Sequence, residues 1–154
     1  MANENNSLIV QQIDRKVKKL SVLNELDIPT NGWINAIRTA IGMSLLQLAN
    51  RLQMTKVGIR EIEVREENKS ITLKKLMEVG EALGLQFVYG FIPKDSSIEA
   101  MIDKRALEVA REIVMRTSHT MKLEEQGNTE KRLRKAIKDR AEQIKREMPR
   151  YLWD

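Results

Sequence analysis

The chain has 154 residues, 42% of them hydrophobic and 32% charged, with a net charge of +5 and no cysteine. This length and composition suit one soluble, helix-rich domain with an appendage, and the absence of cysteine excludes disulfides, thiolate catalysis and cysteine-ligated zinc. No apolar run approaches the roughly 18 residues of a membrane helix and the N-terminus has no secretory signal, so we predict a cytoplasmic protein that contacts no membrane.

A helix is predicted in the N-terminal region, residues 1–30. Apolar side chains recur there at helical spacing, at Ile9, Ile13, Val17, Leu20 and Leu23. The pattern ends before Pro29 and Gly32, which break helices. Residues 31–84 follow as a run of short helical segments separated by turns.

Residues 85–93 contain the one convincing strand of the sequence, LQFVYGFI, which Pro93 ends. A lone strand has no backbone partner in its own chain, and proteins avoid exposed strand edges. We therefore predict that it pairs with the same strand of a second copy and forms a homodimer. The alternative is a short extended segment packed on the helices.

The C-terminal region, residues 94–154, is predicted to hold two helices. The first opens with Ser96 three residues before Glu99, which is the pattern of a capping box, and ends at Gly127. The second runs to Pro149 and packs on the first through Leu133, Ile137, Ala141, Ile144 and Met148. Residues 128–154 carry nine basic and five acidic groups, a balance of +4. This basic helix suits DNA or an acidic partner surface, and a solvated basic face is the alternative.

Residues 44–63, SLLQLANRLQMTKVGIREIE, have the spacing of a helix-turn-helix. Ser44 is placed to cap the first helix and Thr55 the second, with a tight turn at Gln53-Met54 between them. Gly58 lies inside the second helix, where glycine costs roughly 1 kcal/mol relative to alanine. We therefore expect a close backbone approach to the preceding helix at that point.

Residues 31–84 resemble the helix-turn-helix domain of the phage Cro and lambda-repressor family, which has five short helices around one core. Such a domain lays its second helix in the major groove of DNA. The resemblance implies DNA contacts by Thr55, Lys56, Val57, Arg60, Gln47 and Arg51. Lys56 and Arg60 suit guanine edges or phosphates, and Val57 suits a thymine methyl. Thr55 suits a phosphate. Gln47 and Arg51, on the neighbouring helix, suit the DNA backbone.

The same resemblance implies a structural ion pair between Arg38 and Glu63. Two positions depart from the family pattern: Gln53 replaces a glycine that is usually left-handed, and Leu45 replaces a glutamine that often holds a phosphate. Acidic side chains also crowd the second helix, at Glu61, Glu63, Glu66 and Glu67. These departures leave open a repressor-like bundle that binds protein and not DNA.

Four stretches of the chain together resemble a small bacterial family called mobile mystery protein A. They are GWINAIRTAIGMS, ITLKKLMEVGEALGLQFVYGFIP, RTSHTMKLEEQ and YLWD, within about residues 10–154. Members of that family are typically encoded beside a Fic-domain protein, and Fic domains transfer AMP from ATP to a target hydroxyl. The resemblance therefore implies an antitoxin and autoregulator of a toxin–antitoxin pair.

This resemblance implies an inhibitory role for residues 116–126. Fic inhibitors share a helical motif of Ser or Thr, three residues, Glu, then Gly or Asn, and its glutamate pairs with an arginine that would otherwise hold the ATP γ-phosphate. Thr120 and Glu124 have this separation and would share one face of a helix. Glu125 stands where Gly or Asn is expected. Ser118 and His119 belong to the same candidate surface.

His119 is the only histidine of the chain. With no second histidine and no cysteine it lacks the partners of a metal site, and no nucleophile or acid–base partner points to catalysis. A helix cap or a packed side chain is the common role for such a residue, and a partner-facing role is the alternative. We therefore predict no enzyme activity, no metal and no cofactor.

The sequence thus predicts an all-α, lambda-repressor-like helix-turn-helix bundle with flanking helices. We expect a homodimer that binds a palindromic double-stranded DNA operator, regulates transcription and restrains a Fic-domain toxin. A plain transcriptional regulator without a toxin partner is the first alternative. A protein-binding adaptor on a repressor fold is the second.

Overall fold

The computed structural model describes residues 2–119 and 129–154, and the regular structure of these residues is entirely helical. Within those ranges the α-helices are α1 (Ala2–Lys18), α2 (Gly32–Ala40), α3 (Leu45–Arg51), α4 (Lys56–Glu67), α5 (Leu73–Leu83), α6 (Ile98–His119) and α7 (Thr129–Glu147). Short 3-10 helices cover Ser21–Glu25 and Arg150–Trp153. The predicted all-α class is therefore confirmed for the described residues. None of the helices described is long and apolar enough to cross a membrane.

The helices form two compact units. The central unit, residues 25–90, holds α2 to α5. The flanking unit joins the residues up to Asn24 with those described from Phe91 onward, and holds α1, α6 and α7. We predicted the N-terminal helix and the C-terminal region as separate parts of the chain, but they belong to one unit.

The core of the central unit takes side chains from all four of its helices. The buried residues are Ile34, Leu48, Ala49, Ile59, Ile62 and Val79. Burying each of the larger aliphatic side chains contributes about 1.5–3 kcal/mol, which offsets the entropy of ordering such short helices.

Side-chain caps fix where the short helices of the central unit begin. Ser44 and Gln47 form a capping box, in which Ser44 Oγ accepts from the Gln47 amide at 3.2 Å and Gln47 Oε1 accepts from the Ser44 amide at 2.7 Å. Thr55 Oγ1 accepts from the Gly58 amide at 3.0 Å at the start of α4, and Thr72 does the same for Lys75 in α5. Each cap satisfies an amide that a helix start leaves unpaired.

Residues 85–92 form no strand in the single chain that the structure describes. They follow Gly84, whose φ of +76° ends α5 in a left-handed cap, and they run as an irregular segment. The rings of Phe87 and Tyr89 stack at 6.2 Å, whereas Val88, Tyr89 and Phe91 are 67%, 63% and 88% exposed. A strand needs a backbone partner, and this segment has none among the described residues. Pairing between two copies stays a prediction.

The core of the flanking unit lies between α6 and α7 and is closed by the 3-10 helix at Leu152. Its buried residues are Ile102, Ala106, Val109, Ala110, Ile144 and Leu152. Ile137 and Ala141 pack on it from α7, as their helical spacing predicted, and Met148 packs on it from just beyond the end of that helix. Lys145 also links the two helices, because its Nζ lies 2.7 Å from Asp103 and 3.2 Å from Glu99. The hydrogen bond that Lys145 donates to Asp103, reinforced by the one to Glu99, raises the pKa of Lys145.

Two sequence predictions for this unit are wrong in detail. α1 ends at Lys18, and its exposed Ile9 and Ile13 lie beside the contact face, where Val10 packs instead. The start of α6 is capped by Ser97, whose Oγ accepts from the Ala100 amide at 2.9 Å, and not by Ser96. Asp14 of α1 supplies the rest of this cap. Its carboxylate accepts from the amides of Ile98 at 2.7 Å and Glu99 at 3.1 Å.

Candidate nucleic-acid interface

The candidate interface is built on α3, a short turn and α4. Gln53 in the turn has a φ of +53°, the left-handed conformation that glycine adopts more easily. The Met54 amide donates to the Ala49 carbonyl at 2.9 Å and closes the turn behind α3. Ala49 and Leu48 are fully buried where the two helices meet.

Gly58 faces this turn and not the backbone of α3, so our expectation for it was wrong. A Cβ atom at Gly58 would lie 3.2 Å from Met54 Cε and 3.3 Å from Thr55 Oγ1. The glycine therefore makes room for the turn and for the cap of its own helix.

The exposed side of α4 presents a continuous strip of side chains. It consists of Lys56, Val57, Arg60, Glu61, Val64, Arg65 and Glu67, which recur at helical spacing. Val57 is 67% exposed. Lys56 and Arg60 are exposed as well, and neither makes a hydrogen bond or ion pair with any residue that the structure describes. Their charged groups are therefore available to a ligand.

Glu63 belongs to the buried side of α4 and is only 4% exposed. Its carboxylate accepts from Arg38 Nε at 2.6 Å and from Asn35 Nδ2 at 3.0 Å. Arg38 also donates from Nη1 to the Met43 carbonyl at 2.9 Å. The Arg38–Glu63 pair thus joins α2 to α4 inside the central unit, and breaking a buried pair from one side costs about 3–5 kcal/mol.

Glu66 caps the start of α2, a role that the sequence analysis missed. Its two carboxylate oxygens accept from the amides of Trp33 at 2.8 Å and Ile34 at 2.9 Å. Asn31, the residue at the helix boundary, makes no side-chain cap of its own. Gly32 has a φ of +80°, and a Cβ there would lie 2.8 Å from the Glu66 carboxyl carbon. One feature of the sequence could have indicated this role. Glu66 follows Glu63 by three residues and therefore lies on the same side of α4.

These contacts divide the acidic residues of α4 into two groups. Glu63 and Glu66 are engaged with α2, whereas Glu61 and Glu67 are exposed. The exposed side of α4 therefore carries three basic residues (Lys56, Arg60 and Arg65) and two acidic ones, a balance of +1. Half of the acidic crowding seen in the sequence is therefore internal to the fold.

The candidate residues on α3 have structural partners. Gln47 completes the capping box with Ser44, and Arg51 donates from Nη1 to the Ala82 carbonyl at the end of α5, at 2.9 Å. Leu45 is partly buried against the core. Gln47 and Arg51 are exposed, so each keeps donors beyond the ones used in these bonds.

The candidate inhibitory residues are only partly described. Ser118 Oγ donates to the Met115 carbonyl at 3.2 Å on α6, and His119 is the last residue of that helix. Thr120 and Glu124 lie outside the described residues. The prediction that they share one face of a helix therefore rests on the sequence alone.

In the ranges that the structure describes, no three histidine, aspartate or glutamate side chains are grouped so as to hold a metal ion. Comparison of the chain with models of protein families, with curated proteins and with solved structures finds no match.

Proposed function

We propose that the central unit is a lambda-repressor-like helix-turn-helix domain and that the protein is a sequence-specific DNA-binding autoregulator. The observation that supports this most directly is the exposed side of α4. Lys56 and Arg60 lie there beside the exposed Val57, without partners among the described residues.

These three side chains suit base edges in a major groove. Lysine and arginine donate to the O6 and N7 acceptors of guanine, and an apolar side chain contacts the methyl group of thymine. A well-placed contact of this kind discriminates between bases by about 1–3 kcal/mol. Thr55, at the start of the same helix, is exposed and suits a phosphate oxygen.

The alternative of a protein-binding adaptor drew its support from Gln53, from Leu45 and from the acidic residues of α4. Two of the four are used inside the central unit, Glu63 on Arg38 and Glu66 on the start of α2. That argument against DNA is therefore weakened, and the regulator is the function that the geometry favours.

A homodimer belongs to the same proposal. Residues 85–92 carry exposed apolar side chains and have no strand partner in the single chain as described. Two copies paired through them would present two α4 helices, and a two-fold pair of such helices reads a palindromic operator.

The DNA proposal is tested by selecting bound duplexes from a randomised pool. We expect enrichment of two inverted half-sites whose centres lie about one helical turn apart. Recovery of duplexes without any sequence preference would refute operator recognition, and failure to retain any duplex would leave the adaptor as the better account.

We also infer that the protein restrains a Fic-type AMP transferase through residues 116–126. The support is the sequence motif of Thr120 and Glu124, with Ser118 and His119 beside it at the end of α6. Its test is an assay of AMP transfer by the partner, with Glu124→Ala as the variant and Glu125→Ala as the neighbouring control. We expect only the first variant to lose suppression while both stay folded. Full suppression by Glu124→Ala would remove the Thr120–Glu124 proposal, and a wild type that does not suppress AMP transfer would leave a plain transcriptional regulator.

A further inference from the structure

The first half of α7 carries a concentration of positive charge that the proposed function does not use. Between residues 131 and 138 there are five basic side chains and no acidic one, and all five are exposed. Arg134 forms an ion pair with Glu130 at 2.5 Å. The other four make no ion pair or hydrogen bond with any described residue, and we call them the α7 basic face: Lys131, Arg132, Lys135 and Lys138.

The α7 basic face is one surface of the helix. Lys131, Lys135 and Lys138 recur at intervals of four and three residues, so they lie above one another, and Arg132 is next to them. Ile137 and Ile144 point the other way, into the core between α6 and α7. The four charges therefore project from the flanking unit together.

The position of two of these charges works against the stability of the helix itself. The start of an α-helix carries a partial positive charge, which disfavours cations in the first turn, where Lys131 and Arg132 lie. The basic residues of α1 have the ordinary arrangement, with Arg15, Lys16 and Lys18 in its last turn. Residues placed where they lower the stability of a helix are typical of functional sites, because there the function and not the stability determines the residue.

The density of charge matches duplex DNA. Seven residues of helix rise about 10.5 Å, and the four unpaired cations of the α7 basic face lie within that length. The same length of duplex axis presents about six phosphates. Folded protein surfaces usually mix both signs of charge, so an acidic partner would offer fewer negative charges over this distance.

We propose that the α7 basic face binds the phosphate backbone of duplex DNA without distinguishing its sequence. Arginine and lysine contacts of this kind supply affinity and position, whereas base contacts supply preference. The inference rests on the proposed function, because it adds a second DNA surface to the one on α4.

The test uses the full chain with all four residues of the α7 basic face changed to glutamine. The control variant is Arg15→Gln/Lys16→Gln/Lys18→Gln/Lys19→Gln, which removes the same charge from exposed positions in and just after α1. Binding of both variants to a duplex of scrambled sequence is measured by fluorescence anisotropy over a range of salt concentrations. A melting curve for each variant checks folding, and a single Lys135→Glu variant repeats the test with the smallest change to the helix.

We expect the α7 variant to melt no earlier than the wild type and to bind scrambled DNA at least roughly tenfold more weakly at low salt. Its plot of log affinity against log salt should lose about three to four units of slope, at about 0.9 for each phosphate contact. The control variant should keep most of the slope. An equal loss of slope in the control would mean that the effect comes from the net charge of the protein and not from the α7 basic face, and it would overturn the proposal.

Two further outcomes are decisive. If the α7 variant binds DNA as the wild type does but no longer binds polyglutamate, the face docks an acidic protein and the proposal is wrong. If the wild type shows no sequence preference while the α7 variant still loses salt-dependent binding, the proposed operator recognition fails and this inference stands.

Discussion

Glu66 shows how one side chain of α4 serves the fold. Its carboxylate holds the first amides of α2, and these are charge-assisted hydrogen bonds. We expect Glu66→Ala to lower the free energy of unfolding by about 1–3 kcal/mol, because two amides of α2 lose their acceptor. Urea denaturation followed by circular dichroism measures the change.

Glu67→Ala is the matched control, since Glu67 is the exposed neighbour at the end of the same helix. It should change the stability by less than about 0.5 kcal/mol. Equal effects of the two substitutions would mean that the Glu66 cap contributes nothing in solution.

Gln53 carries the conformational strain of the turn between α3 and α4. A residue with a side chain costs roughly 1–2 kcal/mol in the left-handed region, and its φ is +53°. We expect Gln53→Gly to raise the stability, because glycine adopts this conformation without strain. The gain should be no more than about 1 kcal/mol, because glycine also has more freedom to lose from the unfolded chain. The melting temperature, read against a wild-type sample, measures it.

Asn50→Gly provides the contrast, because Asn50 is exposed inside α3, where glycine removes helix propensity. That variant should be destabilised by a few tenths to about 1 kcal/mol. A loss of stability in Gln53→Gly as well would show that the side chain of Gln53, and not its backbone, matters in the turn.

The helix caps that the sequence predicted correctly have local partners. Ser44 and Thr55 cap amides three residues ahead, so spacing alone identifies them. The cap from Glu66 to Ile34 spans 32 residues, and no periodic pattern encodes such a pairing. Sequence position therefore placed Glu66 among the DNA-facing acids, whereas it serves α2.

At the scale of helices, Asp14 joins α1 to the start of α6. It accepts from two amides that lie 84 and 85 residues further along the chain. We expect Asp14→Ala to destabilise the flanking unit by about 1–2 kcal/mol, as the loss of a helix cap does. Amide hydrogen exchange should become faster in α1 and in the first turn of α6.

Asp27→Ala serves as the control, because Asp27 is exposed and has no partner among the described residues. It should leave the exchange of both helices unchanged. Protection of α1 that survives Asp14→Ala would show that apolar packing through Val10 alone holds the helix in place.

The elements themselves were predictable to different degrees. The apolar stripe of α7 defined its packing face because a helix needs only its own sequence to set its period. Residues 85–92 have the composition of a strand, yet a strand exists only with a partner, and the chain offers none among the described residues. The sequence therefore indicates that these residues favour an extended strand, but it does not show whether they have a partner strand.

At the scale of the whole molecule, that segment leads to a prediction about assembly. We expect the protein to sediment as a dimer and Val88→Asp/Phe91→Asp to sediment as a monomer, because both side chains are exposed in the single chain. Val22→Asp is the control, at another exposed apolar position, and should stay dimeric. A monomeric wild type, or a dimeric double variant, would contradict pairing through residues 85–92.

The grouping of α1 with α6 and α7 could not be predicted from periodicity. The contacts that join them link positions more than 80 residues apart, and hydrophobic spacing describes only the neighbourhood of each helix. The candidate interface was more accessible to sequence analysis, since Lys56, Val57 and Arg60 follow a recognisable cap and turn within one short stretch.

The central claim, that α4 reads DNA sequence, is tested most directly by one ratio of affinities. The selected duplex and a scrambled duplex are titrated with the wild type, with Lys56→Ala/Arg60→Ala, and with Lys16→Ala/Lys18→Ala as the charge-matched control. We expect the first variant to lose about 1–3 kcal/mol of discrimination for each base contact, so that its two affinities converge, while the control keeps the ratio. A double variant that still prefers the selected duplex as strongly as the wild type does would contradict the claim.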